Sequence, residues 1–357
     1  MTKKIVCALM AVLMITAVLC TAGCNSDRVV LNVYNWGEYI ANGDDGCMDV
    51  IAEFEKRTGI EVNYTEFASN EEMYAKISSG AADYDVIIPS DYMIEKMIAE
   101  DMLEKIDFAN VPNYQYIDEQ YRNLACDPTN EYCVPYTWGT VGIFYNKTMV
   151  DQADVDRQSW DLLWDEKYAG EILMFNNQRD AFGIALSYLG YSLNTTNPDE
   201  WQEAYELLEK QYPMVQAYVM DQIFDKMASG EAAIGPYYAG DARILCEENE
   251  DIGFFVPKEG TNFFVDAMCI VKGTEHKAEA EAFINFMTDP EISLENIEYI
   301  CYSTPNSATM EMLDPEISGN PNFYPPQEIL DNSEMYTDLP EDIYELMNDL
   351  WVNIKTQ

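Results

Sequence analysis

Three segments near the start of the chain alternate between strand and helix patterns: "VVLNVYNW" (29–36), "CMDVIAEFEKRTG" (47–59) and "IEVNYTEF" (60–67). The outer two are rich in β-branched and aromatic residues, which favours strands. The middle one places apolar residues at helical spacing, and Gly59 stands where a helix C-terminal cap is expected. A strand, a helix and a second strand in this order predict two parallel strands joined by a crossover helix.

The same alternation continues to about residue 100. Ser69 and Glu72 form a capping-box pattern that predicts the start of a second helix. "YDVIIPS" (84–90) then predicts a short buried strand, and its last residue, Ser90, is placed to cap a third helix. The first part of the chain is therefore expected to form a parallel sheet with helices packed against it.

Ligands of parallel α/β sheets bind beyond the carboxyl ends of the strands. The turns at residues 36–39 and 90–92 both follow predicted strands, so we expect them to converge at one edge of the sheet. A second α/β unit begins near "VPYTWGTVGIFYNK" (134–147). Because no low-complexity linker separates the two units, we expect strands to cross between two lobes.

The first 23 residues have the pattern of a secretory signal. Lys3 and Lys4 precede an apolar run that is shorter than the roughly 20 residues of a membrane-spanning helix. "TAGC" (21–24) resembles the lipobox of bacterial lipoproteins, although Thr21 stands where Leu is usual. Cys24 would then carry the lipid, with residues 24–29 as anchor and tether; an ordinary signal peptide with an incidental cysteine is the alternative.

The charge balance excludes one large class of partners. The chain has 20 basic and 64 acidic residues and a formal net charge of -44. Nucleic-acid binding relies on neutralising phosphates with Lys and Arg, so we expect no nucleic-acid partner. The one histidine, His276, lies in a polar turn, and no Ser-His or Cys-His pair, phosphate loop or metal-spaced cluster is recognisable. The sequence therefore predicts neither an enzyme nor a cofactor.

Carboxylates stand beside aromatic residues at the predicted strand ends. Such pairs suit an organic cation, because a carboxylate and the face of an aromatic ring both attract an ammonium group while the ring covers methylenes. An acid that faces water beside an aromatic that packs in the core is the alternative for each pair. The residues concerned are Trp36, Glu38, Tyr39, Asp91, Tyr92, Asp180, Phe182, Tyr237, Tyr238, Asp241, Phe264, Asp266 and Tyr302.

Ordered motifs over nearly the whole mature chain resemble the polyamine (spermidine/putrescine) substrate-binding proteins of bacterial ABC importers. They include "YNWGEYI" (34–40), "YDVIIPSDYMIEKM" (84–97), "PYTWGTVGI" (135–143), "SWDLLWDEKYAGEILM" (159–174) and "FVDAM" (264–268). The resemblance implies an α/β, two-lobed periplasmic-binding-protein fold of type II with the ligand cleft between the lobes. It places residues 30–138 plus 263–303 in lobe 1 and 139–262 plus 304–357 in lobe 2.

The resemblance also implies the ligand, the partners and the site. The protein would be a monomeric, extracytoplasmic lipoprotein, anchored to the membrane at the cell surface or in the periplasm, that delivers a polyamine to an ABC permease and ATPase. It implies these ligand-binding residues: Trp36, Glu38, Tyr39, Ser90, Tyr92, Asp180, Tyr238, Asp241, Phe264, Asp266 and Tyr302. Asn177 stands where spermidine-type members carry an acid, and Asp241 resembles an acid of putrescine-type members, which favours a shorter diamine or a broad polyamine range.

Two alternative functions and one structural question stay open from the sequence. The first is an extracellular glycan hydrolase, in which aromatics stack on sugars and two carboxylates do the chemistry. The second is a two-lobed binder of another small solute. The third concerns Cys126 and Cys133, which could close a small disulfide loop across "CDPTNEYC" (126–133).

Overall fold

Ten strands form one mixed sheet in the part of the chain that the computed structural model describes, residues 29–80 and 82–356. The strands are β1 Val30–Trp36, β2 Glu61–Phe67, β3 Val86–Ile87, β4 Leu103–Glu104, β5 Cys133–Asn146, β6 Ile172–Phe175, β7 Val215–Val219, β8 Ile234–Tyr238, β9 Ile252–Phe255 and β10 Phe263–Val271. The predicted signal segment and the lipid anchor at Cys24 lie outside the described residues.

Helices cover the faces of this sheet and are joined by several short 3-10 turns. They are α1 Val50–Thr58, α2 Asn70–Ser78, α3 Asp91–Ala99, α4 Gln152–Val155, α5 Gln178–Leu189, α6 Pro198–Gln211, α7 Gln222–Ala228, α8 Ala239–Glu248, α9 Lys277–Met287, α10 Pro290–Ile300, α11 Ser307–Met312, α12 Pro315–Ser318, α13 Gln327–Asp331 and α14 Glu341–Lys355. The prediction of an α/β fold is confirmed.

Two of the three predicted helix ends are capped as the sequence indicates. Helix α1 ends at Gly59, which adopts the left-handed conformation (φ 76°) that L-residues with side chains disfavour. Helix α2 begins at Ser69, whose hydroxyl accepts a hydrogen bond from the Glu72 amide (3.1 Å), while the Glu72 carboxylate accepts one from Ala68 N (3.1 Å). Ser90 does stand at the N-terminus of α3, but its side chain makes no capping hydrogen bond.

The strand order explains how two lobes arise from one sheet. The order is β2-β1-β3-β10-β5-β8-β6-β7; β1 is parallel to β2 and β3, whereas β10 is antiparallel to β3 and β5. The first part of β5, Cys133–Thr140, pairs with β10. Its last part, Val141–Asn146, pairs with β8 and β9. The prediction that strands cross between the lobes is confirmed.

Apolar side chains form two clusters, one on each side of this crossing. The first collects buried residues from Leu31 to Trp138 and from Val265 to Leu313. The second collects those from Val141 to Val256 and from Tyr336 to Ile354. Side chains of residues 324–335 pack against both clusters. The lobe boundaries given by the resemblance stay a prediction; Leu313, which they assign to lobe 2, is buried in the first cluster.

Two further features bear on function. No helix in residues 29–80 and 82–356 combines the length and the apolarity needed to cross a membrane. Cys126 and Cys133, which the sequence left open as a disulfide, are both buried thiols.

Candidate ligand-binding cleft

Asp266 on β10 is the point at which the two predicted turns meet. Because β1 and β3 are parallel neighbours, the turns that follow them leave from the same sheet edge. Tyr39 from the first turn donates its hydroxyl proton to Asp266 Oδ2 (2.7 Å) and shares a second hydrogen bond with Thr137 Oγ1 on β5 (2.6 Å). Ser90 from the second turn forms a backbone bridge with Asp266, and its side chain lowers the pKa of that carboxyl. The expected convergence is confirmed.

The carboxyl group of Asp266 is buried and only partly satisfied. Its side chain is 4% exposed, and Oδ1 has no hydrogen-bond partner among the described residues. Burial raises the pKa of Asp266 to about 6, while hydrogen bonds from Ser90 and Tyr39 oppose that rise. A buried acceptor without a partner is unfavourable, and a cationic donor at Oδ1 would remove that penalty.

Asp180 in the first turn of α5 forms a second buried acid centre. Tyr238, at the end of β8, donates its hydroxyl proton to Asp180 Oδ2 (2.7 Å), and Tyr336 donates to Oδ1 (3.3 Å). The Asp180 side chain is 4% exposed, and burial raises its pKa to about 6. Asn177 caps α5 by accepting hydrogen bonds from the amides of Arg179 (2.9 Å) and Asp180 (3.4 Å). A helix-capping amide therefore occupies the position where the resemblance expects an acid.

Asp241 on α8 links the two lobes. Tyr302, which packs against the first cluster, donates its hydroxyl proton to Asp241 Oδ2 (2.7 Å). The Asp241 residue is half-buried, and removal from water raises the pKa of its carboxyl to about 7. A Cβ atom built on Gly240 would lie 2.3 Å from the Tyr302 ring, so only glycine permits this close approach.

Aromatic rings connect the three acids into one lining. The Tyr39 and Tyr302 rings are 4.8 Å apart edge to face, Tyr302 and Phe264 are 6.3 Å apart, and Phe264 and Tyr238 are 5.7 Å apart. Phe264 also lies against Gly139 of β5, where an added Cβ would be 2.6 Å from the ring. The four rings form a continuous apolar wall between carboxyl groups, which is the arrangement that a methylene chain with charged ends requires.

Three other expected residues make no hydrogen bond to these acids, although the Tyr92 ring packs edge to face on Tyr336, with centroids 6.4 Å apart. Trp36 packs against Phe67 with ring centroids 4.6 Å apart, and its buried Nε1 has no partner among the described residues. Glu38 is exposed on the turn, in a left-handed conformation (φ 53°). Tyr92 donates its hydroxyl proton to Glu71 (3.0 Å) and accepts a hydrogen bond from Asn70 (3.1 Å).

Other aromatic and acidic residues singled out from the sequence belong to the interior. Phe182 is fully buried and packs on Trp201, with centroids 5.5 Å apart. Tyr237 donates its hydroxyl proton to Asp221 (2.6 Å). Asp91 is 1% exposed, and burial raises its pKa to about 8; its oxygens accept the backbone amides of Tyr92 and Val265. Proximity in sequence to a strand end therefore does not by itself place a side chain in the cleft.

Two residues outside the expected set lie at the site; for one of them, Tyr336, the resemblance gives only a region where spermidine binders use Gln. Tyr336 closes the Asp180 centre, and its hydroxyl lies 2.2 Å from where a Cβ on Gly183 would be. The Arg179 guanidinium covers the Tyr336 ring at 4.4 Å. Thr137 had no signal beyond its place in the "PYTWG" motif, and Tyr336 comes from a distant segment that only the folded chain brings here.

The chain resembles known solute-binding proteins. The family model described as bacterial extracellular solute-binding protein matches residues 49–325. The chain is 36% identical to the spermidine/putrescine-binding periplasmic protein of Escherichia coli K12, over 88% of each chain. It is 33% identical to a putrescine-binding periplasmic protein of Pseudomonas aeruginosa, over 93% of each. Among solved structures, the spermidine/putrescine ABC transporter substrate-binding protein of Streptococcus pneumoniae matches with a TM-score of 0.81 and 38% identity, covering 92% of this chain and 99% of that one.

Proposed function

Because the chain belongs to the bacterial extracellular solute-binding proteins, and among them to the spermidine/putrescine-binding family of ABC importers, we propose that it binds a polyamine between its lobes and delivers it to an importer. One observation supports this most directly. Three carboxyl groups, Asp180, Asp241 and Asp266, face one aromatic lining, and none of them makes an ion pair with a Lys or Arg of the described residues. The missing positive charge is the one that a polyamine brings.

Recognition follows from the hydrogen bonds already present. Each of the three acids accepts a hydrogen bond from a tyrosine hydroxyl at 2.7 Å, so the lining holds oriented acceptors for ammonium groups. A protonated amine is the stronger donor, because a charge-assisted hydrogen bond contributes about 1.5 to 3 kcal/mol. With about 1.4 kcal/mol per factor of ten in affinity, three such contacts near the upper end of this range account for roughly micromolar binding.

The rings of Tyr39, Tyr238, Phe264 and Tyr302 cover the methylenes between the ammonium groups. Flat rings suit a methylene chain because they bury apolar surface without demanding hydrogen bonds from it. The resemblance implies tryptophans at positions 238 and 264, where this chain has the smaller Tyr238 and Phe264. Tyr238 contacts Phe264 between the two predicted lobes, so a ligand held by these rings would couple binding to lobe closure.

We infer that a short diamine is preferred over spermidine. Asn177 uses its side-chain oxygen to cap α5 and offers no negative charge beside Asp180. An Asn177→Asp variant keeps a capping oxygen and adds a charge, so it should improve spermidine binding relative to putrescine. Calorimetric titration of both ligands into both proteins measures this ratio, and an unchanged ratio would remove residue 177 from the determinants of ligand length.

A ligand panel tests the function itself. Thermal unfolding is followed with putrescine, spermidine, a neutral amino acid and an oligosaccharide, each well above its expected dissociation constant. We expect the polyamines alone to raise the melting temperature, because a ligand that binds only the folded state stabilises it. Stabilisation by the oligosaccharide together with its cleavage would instead support the glycan-hydrolase alternative.

The lipid anchor is a separate proposal that rests on the "TAGC" motif alone. Lipidation of Cys24 would hold the protein outside the cytoplasm at the membrane, beside the permease and ATPase that receive the ligand. Cell fractionation of the wild type and a Cys24→Ala variant checks this. The wild type should sediment with membranes and the variant should not, and equal distribution of both would refute the anchor.

A further inference from the structure

Residues 126–133 form a loop that begins and ends with a buried cysteine. Asp127, which is 2% exposed, holds the loop closed. Its Oδ2 accepts hydrogen bonds from Tyr132 N (2.7 Å) and Cys133 N (3.3 Å), and its Oδ1 accepts one from the Thr129 hydroxyl (3.2 Å). These bonds bring the two ends of the loop side by side in the folded protein.

The two thiols meet inside the first cluster. Cys126 is 4% exposed and Cys133 is 3% exposed, and the neighbouring Cys126 thiol raises the pKa of Cys133. A third buried thiol, Cys269, is the register partner of Cys133 across β5 and β10. Its sulfur, however, lies 3.8 Å from the carbonyl oxygen of Ala267 in its own strand. Cys126 and Cys269 both lie near Cys133, and the hydrogen bonds of Asp127 that close the loop favour Cys126 as its partner.

We propose that Cys126 and Cys133 form an intramolecular disulfide when the protein meets an oxidant outside the cytoplasm. The family is extracellular, and disulfides form and persist in oxidising compartments. The bond would close a ring of eight residues, 126 to 133 inclusive, at the start of β5. This inference does not depend on which ligand the cleft binds.

The reaction is a thiol-disulfide exchange with a small disulfide such as oxidised glutathione. A thiolate of the pair attacks one sulfur of the oxidant, forms a mixed disulfide and expels one glutathione thiolate. The second cysteine then attacks the protein sulfur of the mixed disulfide and expels the other. The protein loses two protons and two electrons, and one oxidised glutathione becomes two reduced molecules.

Burial sets the rate of this exchange. The neighbouring Cys126 thiol and removal from water raise the pKa of Cys133 well above its usual range, so the folded protein holds little thiolate there. We therefore expect slow oxidation of the folded protein and rapid oxidation during refolding, while the loop is still open.

Peptide mapping by mass spectrometry tests the pair. The purified protein is unfolded, refolded with a glutathione redox mixture, alkylated under denaturing conditions and digested without reduction. We expect one linked species containing Cys126 and Cys133, lighter by two hydrogen atoms than the reduced peptides, and full alkylation of the other four of the six described cysteines. Linkage of Cys133 to Cys269, or full alkylation of both proposed partners, would overturn the proposal.

Single cysteine variants separate the effect of the disulfide on the melting temperature from other effects of the oxidant. Oxidised wild type should melt about 5 °C above reduced wild type, because a cross-link restricts the unfolded chain. Cys269→Ser should keep this shift, whereas Cys126→Ser should lose it. If a variant does not fold, the mapping of wild type alone still decides between the two partners of Cys133.

Discussion

Replacing Asp266 by Asn should change ligand affinity and stability in opposite directions. Asn keeps the shape of the side chain and an oxygen that can accept from Tyr39 and Ser90, but it cannot carry a negative charge. The bound ammonium would lose one charge-assisted hydrogen bond of about 1.5 to 3 kcal/mol. Putrescine binding, measured by calorimetry at pH 8, should therefore weaken roughly 10- to 100-fold.

The unliganded variant should nevertheless be more stable than the wild type. The pKa of Asp266 rises from 3.8 to about 6 on folding, so the unfolded chain releases this proton at lower pH than the folded protein. A raised carboxyl pKa has no effect on stability below about pH 4, and it destabilises the fold progressively as pH rises to 6. Above that, the penalty is 2.303RT times the shift, about 3 kcal/mol, and Asn avoids it.

Urea unfolding without ligand at pH 8 and at pH 4 measures this second effect. The variant should gain up to about 3 kcal/mol at pH 8 and little at pH 4. Glu311→Gln, which removes one charge from an exposed position on α11, is the control and should change neither affinity nor stability. Unchanged putrescine affinity would remove Asp266 from the site, and loss of stability at pH 8 would show that its charge is compensated in the unliganded protein.

Three further predictions concern the same cleft. Putrescine affinity should fall roughly tenfold or more between pH 8 and pH 5.5, because the carboxyl groups of Asp241 (pKa about 7) and Asp180 (pKa about 6) gain protons. Calorimetry at both pH values measures this change, and an affinity that does not vary with pH would contradict it. Gly240→Ala should weaken putrescine binding about tenfold or more, because the added Cβ displaces the Tyr302 ring, while the circular dichroism spectrum stays unchanged. If the variant binds putrescine as tightly as the wild type, the Tyr302 ring does not contact the ligand. Glu38→Gln should change putrescine affinity less than about threefold, because Glu38 is exposed and exposed charges interact weakly through water. A loss of about tenfold in the same titration would place Glu38 among the ligand contacts.

The sequence predicts the fold where local signals agree with one another. Strand and helix periods alternate up to residue 100, and the helix boundaries at Gly59 and Ser69 follow from cap chemistry that acts within a few residues. Ser90 shows where this reasoning ends. Its position at a helix start is predictable, but its hydroxyl bonds to Asp266, a residue far along the chain. The choice between a local and a distant acceptor depends on the sheet order, which no local pattern contains.

The composition of the site was harder to predict than its location. Asp180 and Phe182 are two residues apart at a helix start, yet the helix turn directs one towards Tyr238 and buries the other against Trp201. Tyr336 completes the same centre from a segment with no strand or helix of its own. Spacing alone could therefore suggest that aromatics and acids gather at strand ends, but it could not separate lining residues from core residues.

The shared strand β5 has a consequence for how the protein can be divided. Its first part completes the sheet of one lobe and its last part completes the sheet of the other. A chain cut after Thr140 would leave both fragments with unpaired sheet edges, which favour association with other chains over independent folding. The two lobes therefore do not behave as interchangeable modules, and heating should melt them in one transition rather than two.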